Sequence, residues 1–370
     1  MPIYPFLLAL VPPLFLLAVN IQQVHTLAAW RLMLATLLIT ALVWLPLWRW
    51  LRRFERVRRL TRPLNIGAAC ALFLPLVLIL GYGLPRDFHL VRSAHASTTG
   101  PDYFFIVLDS YTSHSELLER FGYDDSPFLD GLASLGFSTG ECVSPATKTD
   151  ESLAAMLNGG TAPEGAKPWE AIYHSELRAG LEAQGFQTWA FATGFVWTEI
   201  LDADKFYQLP TGPFTPPTEF ETLYVMQTPL RHVIDGSKFV GDRHRAHTLY
   251  LLEHLADAAA DPGRQFVFAH ILQPHPPFVF DADGNALNWS WLRNPEFTDM
   301  LGDAPEYTRP DYATGYVGQV EFVGAALLPA LQEIIETSVE RPYILVTGDH
   351  GAWYSEDPAD AYKILCAEYK

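Results

Sequence analysis

Two apolar runs in this chain end in acid. "YFFIVLDS" (residues 103–110) closes on Asp109, and "YILVTGDHG" (343–351) closes on Asp349 and His350. A third run, "QFVFAHIL" (265–272), carries His270 and is followed shortly by His275. A buried carboxylate without a partner costs several kcal/mol even after relaxation, and no Lys or Arg adjoins either Asp. One divalent metal ion would neutralise both. Carboxylate with imidazole suits Zn or Mn, with Mg or Ca as oxygen-seeking alternatives. Spacing alone also allows a plainer reading, two separate and exposed strand-end caps.

A nucleophile would have to come from elsewhere, and "ECVSPATKTDESLAAMLNGG" (141–160) offers Cys142, Ser144, Thr147 and Thr149. Thr147 and Asp150 stand three apart like a capping box. A Thr hydroxyl is a poor nucleophile until a base or a metal activates it. Asp150–Asn158 reads as a short helix, so Thr149 is expected at its N-cap or just before. Free N–H groups and the helix dipole favour anions there, so a capping residue and a phosphorylated residue suit the same place.

These residues need a scaffold, and the pattern supplies one. Apolar runs at 103–110, 188–193, 265–272 and 343–351 alternate with helical patterns at 126–136, 174–185, 246–260 and 316–336. Alternation of this kind predicts an α/β fold, an αβα sandwich with a mostly parallel sheet. Ligands gather at the carboxyl ends of such strands, which is where Asp109, Asp349 and His350 fall. His270 is expected as a satisfied strand residue and His114 as a surface-loop histidine. Trp197, Phe206, Trp289 and Trp291 read as packing residues, and 195–245 as a cap or insertion over the site.

The first hundred residues differ in kind. They hold ten Arg, no Lys and two acids, net +8, whereas 101–370 carries net −25. Apolar stretches at 3–19, 32–48 and 64–84 approach the length a spanning helix needs. Between the second and third lies "RWLRRFERVRRLTR" (49–62), with seven Arg against one Glu, which predicts a cytoplasmic loop and a region after the third span on the outer side. "SAHAS" (93–97) lies too far from the apolar run for a good cleavage site. The expected division is therefore a transmembrane region over 1–92, a linker over 93–101, and a catalytic domain over 102–370 facing away from the cytoplasm. The membrane bilayer is then one partner, and the acidic outer region argues against nucleic acid. Pairing of Cys142 with Cys366 is open.

Four segments in order, "FFIVLDS", "SPFLDGLASLGF", "TKTDESLAAMLNGG" and "ILVTGDHG", resemble the sulfatase/alkaline-phosphatase superfamily. The resemblance is to its membrane-anchored branch, with lipoteichoic acid synthases and phosphoethanolamine transferases. "HILQPHPPFVFDADG" (270–284) adds a stretch similar to the PHxPF of membrane-embedded members. The resemblance implies an alkaline-phosphatase-like fold and one metal held by Asp109, Thr149, Asp349 and His350. It implies Thr149 as nucleophile, nine residues before Asn158–Gly159, and His275 on the anionic group of the substrate. The implied reaction is attack on a phosphodiester, a phospholipid headgroup or an envelope glycan, with transfer to water or to an acceptor hydroxyl. The formylglycine motif of sulfatases proper is not matched, since "CVSPA" lacks the Arg and places Cys142 seven residues early. Alternatives are a sulfate or phosphate monoester hydrolase, and an inactive or truncated envelope scaffold or sensor. "YKILCAEYK" (362–370) reads as the start of a further strand, beyond which relatives continue.

Overall fold

The computed structural model describes residues 2–21, 26–82, 100–212, 215–232, 236–287, 312–352 and 362–370. The 93–97 stretch and both Trp289 and Trp291 lie outside them. The chain divides into two compact units, residues 1–90 with 210–234, and residues 91–209 with 235–370.

The first unit contains α1 (Tyr4–Asn20), α2 (Thr26–Leu51) and α3 (Glu55–Tyr82). Ala29–Leu51 and Glu55–Gly81 are long and apolar enough to cross a membrane, while α1 is shorter. Only 6% and 11% of the most apolar windows of α2 and α3 are buried, so these are not the enclosed core helices of a water-soluble domain. Leu38, Leu42, Val43, Phe73 and Leu80 point outward, as lipid-facing residues do. Pro12 and Pro13 fall inside α1 and Pro63 and Pro75 inside α3, where neighbouring helices can cover freed carbonyls. The Arg-rich stretch is mostly helical: it closes α2 and opens α3, leaving only residues 52–54 between them.

The second unit is built on a seven-stranded sheet. Its strands are β1 (Tyr103–Leu108), β2 (Ser138–Val143), β3 (Phe186–Phe191), β4 (Lys205–Tyr207), β5 (Arg264–Ile271), β6 (Tyr343–Gly348) and β7 (Lys363–Tyr369). Their order is β2-β7-β6-β1-β5-β3-β4. Pairs among β6, β1, β5, β3 and β4 are parallel, and β7 pairs antiparallel with β6 and β2. The sheet is thus mostly parallel, as the alternation predicted, and the carboxyl-terminal run forms an interior strand.

Both faces of β1 are covered. Phe104, Ile106 and Leu108 enter one core cluster, which α5 (Ser126–Leu135) and α12 (Tyr312–Thr337) help to build through Phe128, Leu132, Tyr316, Val320 and Leu327. Phe105 and Val107 enter a second cluster with α6 (Thr149–Met156) and α7 (Pro168–Tyr173), through Leu153, Ala171 and Ile172. Burial on alternate faces explains why the strand reads as unbroken apolar sequence rather than as an alternating one. The remaining helices are the short α4 (His114–Glu116), α8 (Glu176–Ala183), α10 (Gly236–His254) and α11 (Asp257–Ala260) here, and α9 (Glu219–Met226) in the first unit. Ser175 caps α8 by accepting from the Arg178 N–H. Cys142 and Cys366 form a disulfide across β2 and β7.

Candidate metal and nucleophile site

The three central strands deliver their ends to one place. Leu108 pairs in register with Ile271 on one side and Gly348 on the other, so the residues that follow are neighbours. The Asp109 N–H donates to Ile271 O (2.9 Å), and the His275 N–H donates to Asp109 O (3.0 Å). Gly348 has no room for a side chain, because a Cβ would lie 2.4 Å from Tyr111 O. The chain then turns at Ser110, which adopts φ 65°, a conformation that costs a non-glycine residue about 1 kcal/mol or more. The turn aims the Ser110 N–H at Asp349 Oδ1 (2.9 Å), while Tyr316 donates its hydroxyl to Ser110 O (2.7 Å).

Asp109 and Asp349 are both buried. Asp349 Oδ1 accepts from the backbone of Ser110 and of His350, but Oδ2 has no hydrogen-bond partner. His270 Nε2 lies 3.2 Å from Asp109 Oδ2, yet it too makes no hydrogen bond. His350 Nε2 stands 3.5 Å from Asp109 Oδ1 and 3.6 Å from Asp349 Oδ2. Thr149 Oγ1 is 3.2 Å from His350 Nε2 and donates toward Asp109 Oδ1 at 3.4 Å. The ligand atoms of Asp109, His275 and His350 lie within 4.8 Å of one another, as do those of Asp109, His270 and Asp349.

The outer nitrogens settle the histidine tautomers. His350 Nδ1 is 2.8 Å from Gly351 O and His275 Nδ1 is 2.5 Å from Pro276 O; carbonyls only accept, so both Nδ1 atoms carry hydrogen. His270 Nδ1 faces Thr198 Oγ1 (2.9 Å), whose own hydrogen goes to Phe195 O (3.0 Å), giving the same tautomer. His270 and His350 thus keep Nδ1 as a donor and direct Nε2, the atom left for a metal, at carboxylate oxygens. A cation among these groups would satisfy carboxylate and imidazole together. Among the described residues no Lys or Arg forms an ion pair with Asp109 or Asp349. The donor set, two carboxylates, imidazole Nε2 atoms and a hydroxyl, fits a Zn- or Mn-type ion.

Electrostatics divide the acids. Burial works to raise the Asp109 carboxyl, but His275, His270 and His350 outweigh it and hold the group well below the usual carboxylate range. Burial, then the charge of Asp109, pushes Asp349 up. His244 on α10 is pushed down to about 3, first by burial and then by His247 and His275. Staying neutral, it takes its place 2.9 Å from Gln273 Nε2, while Thr248 donates to Gln273 Oε1 (2.7 Å). Together these fix the turn that carries His275.

Thr149 sits one position later than expected. Lys148 takes the extended N-cap conformation without a side-chain cap, and Thr149 is the first helical residue. The capping box suggested by Thr147 and Asp150 is not formed. Ser144 is a latch: its hydroxyl and that of Ser152 (2.6 Å) both donate to Asp349 O. Asn158 ties α6 to the next helices, donating to Ala154 O (2.7 Å) and Ala171 O (3.0 Å) and accepting from the Glu176 N–H (2.9 Å). His114 lies apart, 2.5 Å from Asp125. His270, expected as a satisfied strand residue, joins the cluster; His244 and Gln273 carried no signal beyond their polarity.

No family model matches the chain, and no curated protein matches it by sequence. Among solved structures it is similar to the lipoteichoic acid synthase LtaP from Listeria monocytogenes, with 14% identity over 77% of this chain and 69% of that one and a TM-score of 0.42. It is similar to the periplasmic domain of EcEptC from Escherichia coli in complex with Zn, with 11% identity over 74% of each chain and a TM-score of 0.42. It is also similar to the integral membrane lipooligosaccharide phosphoethanolamine transferase A (EptA) from Neisseria meningitidis, with 14% identity over 92% of this chain and 62% of that one and a TM-score of 0.41. These likenesses are low, and the functional reading rests on the chain's own site.

Proposed function

We propose that the chain is a membrane-bound, metal-dependent phosphoryl-ester enzyme of the sulfatase-like type, with Thr149 as nucleophile on a phosphodiester. The observation that carries it is the convergence of Thr149 Oγ1, two buried carboxylates and inward imidazole nitrogens at three strand ends. Asp109, Thr149, Asp349 and His350 would hold one divalent ion, with His270 at the adjacent edge. The ion, when bound, lowers the hydroxyl's pKa and neutralises phosphoryl oxygen charge. Asp109 and His350 hold the Thr149 hydroxyl in place; Ser110, Ser144 and Ser152 hold Asp349 by its Oδ1 and its carbonyl. His275 stands beside His350, ring centroids 6.1 Å apart, where it can meet the anionic group of the substrate. The Thr149 oxygen bonds to phosphorus, the alcohol leaves with a proton, and water or an acceptor hydroxyl then releases the group from Thr149. Positioning and charge stabilisation supply most of the rate in such transfers.

Two further features support the setting. The apolar exposed faces of α2 and α3 suit a bilayer, and a Cys142–Cys366 disulfide suits an oxidising compartment outside the cytoplasm. A phospholipid headgroup or an envelope glycan would then be the substrate within reach. The same disulfide occupies the Cys142 sulfur, which weighs against a formylglycine route to sulfate esters. The deciding experiment compares aryl phosphodiester with aryl sulfate turnover by the full chain. Diester turnover that falls at least about a hundredfold in Thr149→Ala supports the proposal; turnover of sulfate alone, or an unaffected variant, rejects it.

A further inference from the structure

The two ends of α2 treat arginine in opposite ways. At its start, Arg31 is enclosed by protein: Nε donates to Glu221 Oε1 (2.6 Å), Nη1 to Gly212 O and Thr215 Oγ1 (both 2.6 Å), and Nη2 to Pro216 O (2.8 Å) and Glu221 Oε2. Glu221 is itself fixed by a capping box with Thr218 at the start of α9. At the other end, Trp48, Arg49, Arg52, Arg53 and Arg58 line a cavity of about 500 Å³ where α2 turns into α3. Among the described residues none of these four guanidinium groups has an acidic partner; Glu55, the single acid of the turn, pairs with Arg59 instead (2.5 Å).

We infer that this concave cluster is a binding site for the phosphate of an anionic phospholipid headgroup, formed by Arg49, Arg52, Arg53 and Arg58 with Trp48 at its rim. Guanidinium is a fork donor matched to phosphate oxygens, and it is weakly hydrated enough to exchange water for them. Four such groups around one concavity place several positive charges within reach of a single headgroup. Among the described residues no carboxylate pairs with these four, although Glu221 does so for Arg31 on the same helix. Trp48 follows an apolar run of the helix, at the level where an indole ring sits between acyl chain and headgroup. Basic pockets between spanning helices take anionic headgroups for these reasons. A charge run that served topology alone needs no concavity and would be indifferent to which of its arginines is removed.

That difference supplies the test. The full chain in detergent is titrated with phosphatidylglycerol, cardiolipin and phosphatidylcholine, and bound lipid is read by native mass spectrometry. Arg52→Gln with Arg58→Gln removes two pocket charges; Arg56→Gln with Arg62→Gln removes two charges from the same stretch outside the pocket. All four residues are exposed, so folding is not at stake. Each pocket charge is worth about fivefold in affinity, the equivalent of about 1 kcal/mol. The pocket pair therefore weakens anionic lipid binding by roughly 30-fold, while the outside pair changes it by less than about fivefold. Equal losses in the two variants, or equal binding of phosphatidylcholine, overturn the site. Inorganic pyrophosphate is the soluble arm: if it displaces lipid at matched concentration, the ligand is a free anion and the lipid assignment is wrong.

Discussion

Replacing Asp349 by Asn should stabilise the metal-free protein while removing its response to metal. The Asp109 and Asp349 ligand oxygens lie within 4.8 Å of each other, and at an effective dielectric of about 20 their repulsion is about 3 kcal/mol. An Asn at 349 keeps the oxygen that accepts from Ser110 and His350. It also exchanges the partnerless Oδ2 for an N–H donor that Asp109 or His350 can accept. A gain of about 2 kcal/mol, at roughly 2–4 °C per kcal/mol, raises the unfolding midpoint by about 5 °C. Thermal unfolding of the full chain in detergent, with chelator and then with added Zn or Mn, reads both effects. The parent protein should gain strongly on metal addition, because a ligand bound only by the folded state stabilises it, and Asp349→Asn should gain little. A metal-free variant that unfolds at lower temperature, or one that gains as much as the parent, would refute the reasoning.

Three more outcomes follow from local geometry. Asn158→Ala removes two buried hydrogen bonds and one part-buried one, and strands the Ala171 carbonyl and the Glu176 N–H; a loss of about 2–4 kcal/mol in denaturant unfolding is expected. Replacing Cys142 and Cys366 together by Ala frees a 224-residue separation, and unfolding should become easier by at most about 5 kcal/mol on chain entropy. Burial pushes the Asp102 carboxyl up to about 6. Its folded value lies above the unfolded one, so its contribution is full below about pH 4 and is lost as pH rises through about 6. Asp102→Asn, which can still accept from the Gln265 N–H, should flatten that part of the stability profile and leave the rest unchanged.

The strands that hold the site were legible because each is buried on both faces and so reads as continuous apolar sequence. β2, "STGECV", is exposed along its length and β4 has three residues; neither carries an apolar run that would mark it as a strand. Asp109, Asp349 and His350 stand out in the sequence because strand ends in α/β sheets are where polar groups collect. His270 reads as an ordinary strand residue, since the contact that orients its ring comes from Thr198, 72 residues away in sequence. The Thr149 register was off by one because Lys148 takes the N-cap geometry with no side-chain bond to announce it. Segment 210–234 groups with the amino-terminal helices, tied to them by the Arg31–Glu221 pair, 190 residues apart, and by Phe220 packed with Ala29 and Leu32, contacts that no local pattern encodes.

The most direct test of the central claim is the intact mass of the protein after brief incubation with phospholipid or an aryl phosphodiester in the presence of Zn or Mn. A phosphate-containing adduct that maps to Thr149, and disappears in Thr149→Ala, is the predicted result. Diester cleavage at normal rate by Thr149→Ala, or an adduct on Cys142, Ser144 or Thr147 instead, would contradict it.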